Sequence, residues 1–400
     1  MTALVVSSMV ALNRASMLMK MLLLLLLLLS TAGCGVHGLD MDSLFQSPTL
    51  PTNASSFEAL YVFGDSLLDP GNRHRLQPSA IGLPFPLIDA DHLPYGRDFP
   101  SHAPTGRFSN GLIGSDILAS FMGLPYPPPY LKDKSNVMKG CSFATSGAKI
   151  LNKSSAYQFP RLNFPDQVRV FGDVRQMLVS KLGNEQANLL ISRSLVLTCF
   201  GANDLMADYL LNPGHRLKVS REDFYQSLVS PYAQFLQELY SLGARKFAVV
   251  SLPPLGCIPA LRAVLSGRQH YWECLAGVNQ VVSGFNAALL RMITALQQQP
   301  PFQDARFVFL NSFDAALDAV STPSAYGFVH GLRPCCGYLE ERVVPVCAVG
   351  INAVCERASE HVFWDFAHPT EAFNFLLARL YWEGSSPHVY PFNLRELAKL

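Results

Sequence analysis

Short apolar runs rich in β-branched and aromatic residues recur along this 400-residue chain, separated by longer stretches with helical spacing. The runs are Ala59–Phe63, Ser194–Phe200, Ala244–Leu252 and Ala305–Leu310. The helical stretches are Ser109–Met122, Gln167–Lys181, Asp223–Leu242, Leu275–Gln298 and Pro369–Trp382. Runs apolar throughout are strands covered on both faces, and alternation with helices supplies the cover. The pattern therefore predicts an α/β protein with a mostly parallel sheet. In such sheets ligands bind beyond the carboxyl ends of the strands, so chemistry is sought in the residues that follow each run. Pro78–Pro104 and Tyr126–Tyr130 read as surface loops, because periodic apolar segments resume on either side.

The amino-terminal segment has a different character. Arg14 and Lys20 precede the apolar run Met21–Leu29, and Ser30-Thr31-Ala32-Gly33-Cys34-Gly35 follows it. A basic segment, a short apolar segment and small residues make a secretory signal peptide ending near residue 35. A buried helix or signal anchor is the alternative, but nine residues fall well short of the roughly twenty that span a bilayer, so no transmembrane segment is expected. The expected layout is a signal peptide over 1–35, a mature amino-terminal segment over 36–56 and a single catalytic domain over 57–400. Lys plus Arg total 31 against 30 Asp plus Glu, a net charge of +1 that offers no field to attract nucleic acid.

Secretion changes how cysteines are read, since an oxidising compartment permits disulfides. Cys335, Cys336, Cys347 and Cys355 fall within 21 residues, where at least one bridge is expected. Zinc is the competing reading, but no paired C-x-x-C ligands are present. Cys141 and Cys199 sit inside apolar runs and are expected to be buried thiols. Asn53-Ala54-Ser55 and Asn152-Lys153-Ser154 are glycosylation candidates at Asn53 and Asn152.

Candidate chemistry begins after the first strand, at Gly64-Asp65-Ser66. Such a tripeptide is by itself an ordinary turn, and Ser66 becomes a candidate nucleophile only with a base and an acid that orients it. Asp365-Phe366-Ala367-His368-Pro369 supplies both: Asp365, three residues before His368, is placed to hold Nδ1 and leave Nε2 facing Ser66. Taken alone, Asp365 is equally a helix cap. His361, nearby, is expected to be structural. Acyl transfer also needs donors for a developing oxyanion. The Asn203 amide, in Gly201-Ala202-Asn203-Asp204 after the second strand, and the backbone N–H of Gly147 are the candidates, completed by that of Ser66. A Gly33-x-Gly35-x-x-Gly38 match lies beside the signal segment rather than after a strand and is discounted. No Gly-x-Ser-x-Gly, P-loop or His-Glu-x-x-His occurs, and nothing calls for a metal or other cofactor.

In order, Gly64-Asp65-Ser66-Leu67, Gly147, Gly201-x-Asn203-Asp204 and Asp365-x-x-His368-Pro369-Thr370 resemble the four blocks of the GDSL esterase/lipase family, within the SGNH hydrolases. Pro104-Thr105-Gly106-Arg107-Phe108-Ser109-Asn110-Gly111, Leu252-Pro253-Pro254-Leu255-Gly256-Cys257 and Cys335-Cys336-Gly337 resemble its plant-type branch. The similarity runs from about Tyr61 to Trp382. It implies a flavodoxin-like three-layer α/β/α sandwich, with Ser66 as nucleophile, His368 as base, Asp365 as orienting acid, and Ser66, Gly147 and Asn203 as the oxyanion hole. The chain departs from the family pattern at Ser142, where Asn is common, at Lys149, where Gly is common, and at Pro70; Lys149 is expected to alter the rim of the pocket.

The expected protein is an extracellular serine esterase or lipase, in the apoplast or cell wall if the source is a plant, that hydrolyses carboxylic esters through an acyl-enzyme. One domain is expected because a nucleophile near one end and a base near the other must meet. Two alternatives stand beside it. Acyl transfer to an alcohol or sugar hydroxyl uses the same residues, and a non-catalytic secreted binding protein keeps the fold without the reaction. Sequence leaves the acyl chain, the alcohol and the oligomeric state open.

Overall fold

The computed structural model describes residues 57–76, 89–134, 137–151, 160–266, 272–339, 342–343, 347–350 and 353–400. The expected signal peptide, the segment 36–56 and both sequon asparagines, Asn53 and Asn152, lie outside the described residues. Among the described residues no helix is long and apolar enough to cross a membrane.

Five parallel strands form the centre: β1 (Leu60–Gly64), β2 (Gly140–Ser142), β3 (Leu195–Cys199), β4 (Lys246–Val250) and β5 (Arg306–Leu310). Their spatial order is β2-β1-β3-β4-β5, the flavodoxin-like doubly wound order. A separate three-stranded antiparallel sheet is built from β6 (Cys336–Leu339), β7 (Arg342–Val343) and β8 (Ala353–Val354), and β9 (Val389–Tyr390) closes the main sheet antiparallel to β5. Side chains alternate along each strand, and the two sets are buried in different layers. Tyr61 and Phe63 pack in one layer with Phe171 and Phe285, whereas Leu60 and Val62 pack in the other with Ile117 and Trp382. This is why the runs carry apolar residues at successive positions rather than at alternate ones.

The principal helices are α1 (Gly114–Phe121), α2 (Phe164–Leu182), α3 (Arg221–Ser241), α4 (Pro259–Leu265), α5 (Ala276–Gln298), α6 (Ser312–Ser321) and α7 (Glu371–Glu383). α2, α3 and α5 cover one face of the sheet; α1 and the end of α7 cover the other. All five expected helix starts shift, by one to five residues, and two of the shifts have a visible cause. α1 begins at Gly114 rather than Ser109, because the Asp116 carboxylate accepts from the Ile113 N–H and fixes the first turn there. α7 begins after Thr370, whose hydroxyl accepts from the Phe373 N–H, so Pro369 sits before the cap, bridged to Phe363.

The clustered cysteines form two bridges, Cys335–Cys355 and Cys336–Cys347, and a third, Cys257–Cys274, was not anticipated. Cys141 and Cys199 are free and buried, as the apolar runs around them predict.

Candidate active site

The doubly wound order reverses direction between β1 and β3, and the crevice at the end of those neighbouring strands is where such folds bind ligands. β1 runs out at Gly64, two residues before Ser66, and β3 at Cys199, four residues before Asn203. The strand end at Gly64 is clamped. Gln167 of α2 accepts from the Gly64 N–H at 2.9 Å and donates back to the Gly64 carbonyl at 2.8 Å. Asp65 is fully buried; its Oδ1 accepts from the Leu67 N–H at 3.1 Å, which folds the turn that presents Ser66.

Ser66 and His368 stand 302 residues apart in sequence, yet Ser66 Oγ lies 2.9 Å from His368 Nε2. His368 Nδ1 is 3.0 and 2.9 Å from the two oxygens of Asp365. A carboxylate only accepts, so Nδ1 carries the proton and Nε2 is left to accept from the serine hydroxyl. Asp365 Oδ1 also accepts from the Ala367 and His368 N–H groups at 2.8 Å, and Oδ2 from the Tyr95 hydroxyl at 2.7 Å. Burial alone would push Asp365 up, but the facing imidazole and these donors overcome it and hold its carboxyl below the ordinary range. Phe108 packs on the imidazole with ring centroids 4.6 Å apart.

The segment carrying Asp365 is braced by the disulfide-linked region. The N–H groups of Cys335 and Cys336 donate to the carbonyls of Phe363 and Trp364, and the Trp364 N–H donates to the His368 carbonyl. On the far side the Ala260 N–H at the start of α4 donates to the Phe366 carbonyl.

The three expected oxyanion donors converge on the same crevice. Ser66, Gly147 and Asn203 line one cavity together with His368. Gly147 has φ of 77°, a conformation that favours glycine. Among the described residues no acceptor meets the N–H of Ser66 or of Gly147. Asn203 Nδ2 donates to the Ala148 carbonyl at 3.0 Å and to Asp65 Oδ2 at 3.2 Å, which fixes the amide facing the serine turn. Burial pushes Asp65 up to about 6, against the lowering effect of the Leu67 N–H and of His368.

The cavity has a volume of about 390 Å³. Met206 and Leu211, at and beyond the π-helical segment Leu205–Leu210, form one wall; Leu261 and Val264 of α4 form the other. Lys149 lines it too, but not as a solvated rim residue. Its side chain is 2% exposed, and Nζ lies 2.7 Å from Asp208 Oδ1, pinning the π-helical segment to the Gly147 loop. Ser142, another departure from the family pattern, keeps a structural role: its hydroxyl donates to the Leu68 carbonyl at 3.1 Å. His361 is buried, 2.9 Å from the Arg333 carbonyl at Nδ1 and packed on His330, away from the serine; burial lowers it to about 4.

Tyr95 and Gln167 are the groups that sequence reading missed. Tyr95 sits in a proline-rich stretch with no periodic signal. Gln167 did carry one, as an amide on the face of α2 that also bears Phe164, Val168 and Phe171, all buried.

Comparison with known proteins agrees with the motifs. The GDSL-like lipase/acylhydrolase family model matches residues 60–380. GDSL esterase/lipase At1g71250 of Arabidopsis thaliana is 34% identical, the alignment covering 90% of this chain and 94% of that protein. GDSL esterase/lipase At1g71691 of the same plant is 35% identical over 88% of each. Among solved structures, a catalytic mutant of Axe2, an acetylxylan esterase from Geobacillus stearothermophilus, aligns over 82% of this chain and 94% of its own at 10% identity and a TM-score of 0.35. The family match spans most of the sequence and the plant relatives match nearly end to end: the chain belongs to the GDSL-like lipase/acylhydrolase family and is a carboxylic ester hydrolase.

Proposed function

We propose that this chain is a secreted serine esterase in which Ser66 is the nucleophile, His368 the general base and Asp365 the acid that orients it. The observation carrying this reading is the unbroken chain of contacts from Asp365 through His368 to Ser66 Oγ, each at 3.0 Å or less. Neutral His368 takes the serine proton as Oγ attacks the ester carbonyl. The tetrahedral oxyanion is received by the N–H groups of Ser66 and Gly147 and by the Asn203 amide, whose longer bond, to Asp65, is the one the oxyanion displaces. His368 then protonates the departing alkoxide. Water, deprotonated by the same imidazole, attacks the acyl-serine and regenerates the enzyme.

Ser66→Ala tests the assignment. The variant is expected to keep the thermal transition of the parent while ester turnover falls by at least about 10³-fold, and a fluorophosphonate probe labels the parent alone. Turnover retained by the purified variant would remove Ser66 from the mechanism. A parent protein that neither hydrolyses esters nor reacts with the probe would favour a binding protein.

Secretion is part of the proposal, with residues 1–35 as the signal peptide and 57–400 as the catalytic domain. It is supported by the basic, apolar and small-residue order of the amino terminus and by three disulfides, which persist in oxidising compartments. Protein recovered from the medium of expressing cells is expected to begin near residue 36; retention in the cells with Met1 intact would count against it.

A further inference from the structure

A second space lies behind the catalytic cleft, between the sheet and the helices of the opposite layer. Leu118 of α1, Cys199 of β3, Val250 of β4, Ala316 of α6, and Phe373 and Ala378 of α7 are among its walls. It holds about 90 Å³, and its lining is almost wholly apolar. Of the polar groups on its border, Ser251 Oγ is 3.2 Å from Ser312 Oγ and Asn374 donates to the Leu112 carbonyl at 3.1 Å, while the buried Tyr381 hydroxyl has no hydrogen-bond partner among the described residues. Leu67, Pro253, Ile258 and Ala367 line both this space and the cleft that holds Ser66, so the two abut at residues adjoining the nucleophile and the base.

A cavity with so apolar a lining takes apolar ligands; one of roughly 150 Å³ takes up a benzene ring, so 90 Å³ corresponds to about three or four carbons. The order of events at Ser66 decides which half of an ester goes there. The alcohol leaves first and water must follow it, so the alcohol needs the open cleft. The acyl group stays bonded to Oγ through both steps and is the half suited to a dead end. We infer that the inner cavity is an acyl-chain pocket, entered past Leu67 and Ala367, and that it selects unbranched aliphatic acyl groups on the order of four to six carbons, the carbonyl end remaining at Ser66. This rests on Ser66 being the nucleophile.

Chain-length profiles test it. The full secreted protein is assayed on p-nitrophenyl acetate, butyrate, hexanoate, octanoate and dodecanoate, below their aggregation limits. In the parent, kcat/KM is expected to rise by up to about fourfold per methylene from acetate until the pocket is full, then to fall. Ala316→Leu adds three carbons to the cavity wall and is expected to lower the hexanoate-to-acetate ratio at least tenfold. Val250→Ala removes two methyl groups and is expected to move the optimum to a longer chain. A flat profile in an active parent, or unchanged ratios in the folded variants, overturns the pocket while leaving the Ser66 reading intact. If Ala316→Leu does not fold, an unshifted optimum in Val250→Ala is enough to overturn it. A parent inactive on every ester overturns both.

Discussion

Tyr95 shows how much of the proposed catalytic site is carried by side chains outside the cleft. Its hydroxyl is fully buried and donates to Asp365 Oδ2, the oxygen that also lies 2.9 Å from His368 Nδ1. A hydrogen bond to a charged group is worth about 1.5–3 kcal/mol, and here it fixes the carboxylate plane while drawing off negative charge. Tyr95→Phe keeps the ring, which packs on Trp364 and Phe108, and deletes only the donor. We expect kcat to fall about tenfold, with KM little changed. The acid limb of the pH–rate profile is expected to move to higher pH, since Asp365 with one donor fewer holds the shared proton of the pair more tightly. An unchanged kcat and an unmoved limb would reduce Tyr95 to packing. Ser66, Asp365, His368, Gly147 and Asn203 were nameable from the sequence because each sits beside turn-forming residues at a strand end or a helix start, where local chemistry leaves a mark. Tyr95 left none: its meaning comes from a contact 270 residues away, and no local pattern encodes that. Gln167 falls between the two, marked by polarity on an apolar face but silent about its partner, Gly64.

Among the elements, length decided what could be read. β1, β3, β4 and β5 have five residues each and a predominantly apolar signature; β2 has three, Gly140-Cys141-Ser142, and is a strand only because it borders β1. The four-cysteine cluster predicted at least one bridge, whereas Cys257 and Cys274, 17 residues apart with no neighbouring cysteine, carried no pairing signal. That bridge closes the segment that contains α4, one wall of the cleft, and its consequences belong to that wall. Closing a loop of this size stabilises by about 3 kcal/mol through the unfolded chain. The double variant Cys257→Ser, Cys274→Ser is therefore expected to melt several degrees lower by calorimetry. With Leu261 and Val264 less firmly held, KM for esters that fill the cleft is expected to rise more than kcat falls. An unchanged melting temperature would mean that the hydrogen bonds from Ala260 to Phe366 and from Leu275 to Gly256 already fix the segment.

For the molecule as a whole, burial of carboxyl groups gives stability a slope with pH. Burial pushes Asp65 up to about 6 and Asp204 and Glu371 up to about 7. Groups raised above their unfolded values keep their proton longer in the folded chain, so their contribution is full below the ordinary carboxylate range and is lost as pH rises through about 6 to 7. Glu371 allows the stability slope to be examined away from the proposed nucleophile. It begins α7, accepts from the Leu112 N–H at 3.1 Å, and is raised first by burial and then by the nearby Asp98 and Asp116 carboxylates. The gap between 4.5 and about 7 corresponds to about 3 kcal/mol once the group is ionised. Loss of a negative charge at a helix amino terminus takes back up to about 1 kcal/mol. Glu371→Gln keeps an oxygen for Leu112 and cannot ionise. Its melting temperature is therefore expected to stay within a degree or two of the parent at pH 4 and to exceed it by several degrees at pH 8, the two curves separating between those values. Curves that run parallel from pH 4 to 8 would show that Glu371 does not titrate in this window, and the pH dependence would then have to be sought in the other buried carboxyls held above their ordinary range, Asp65, Asp69 and Asp204.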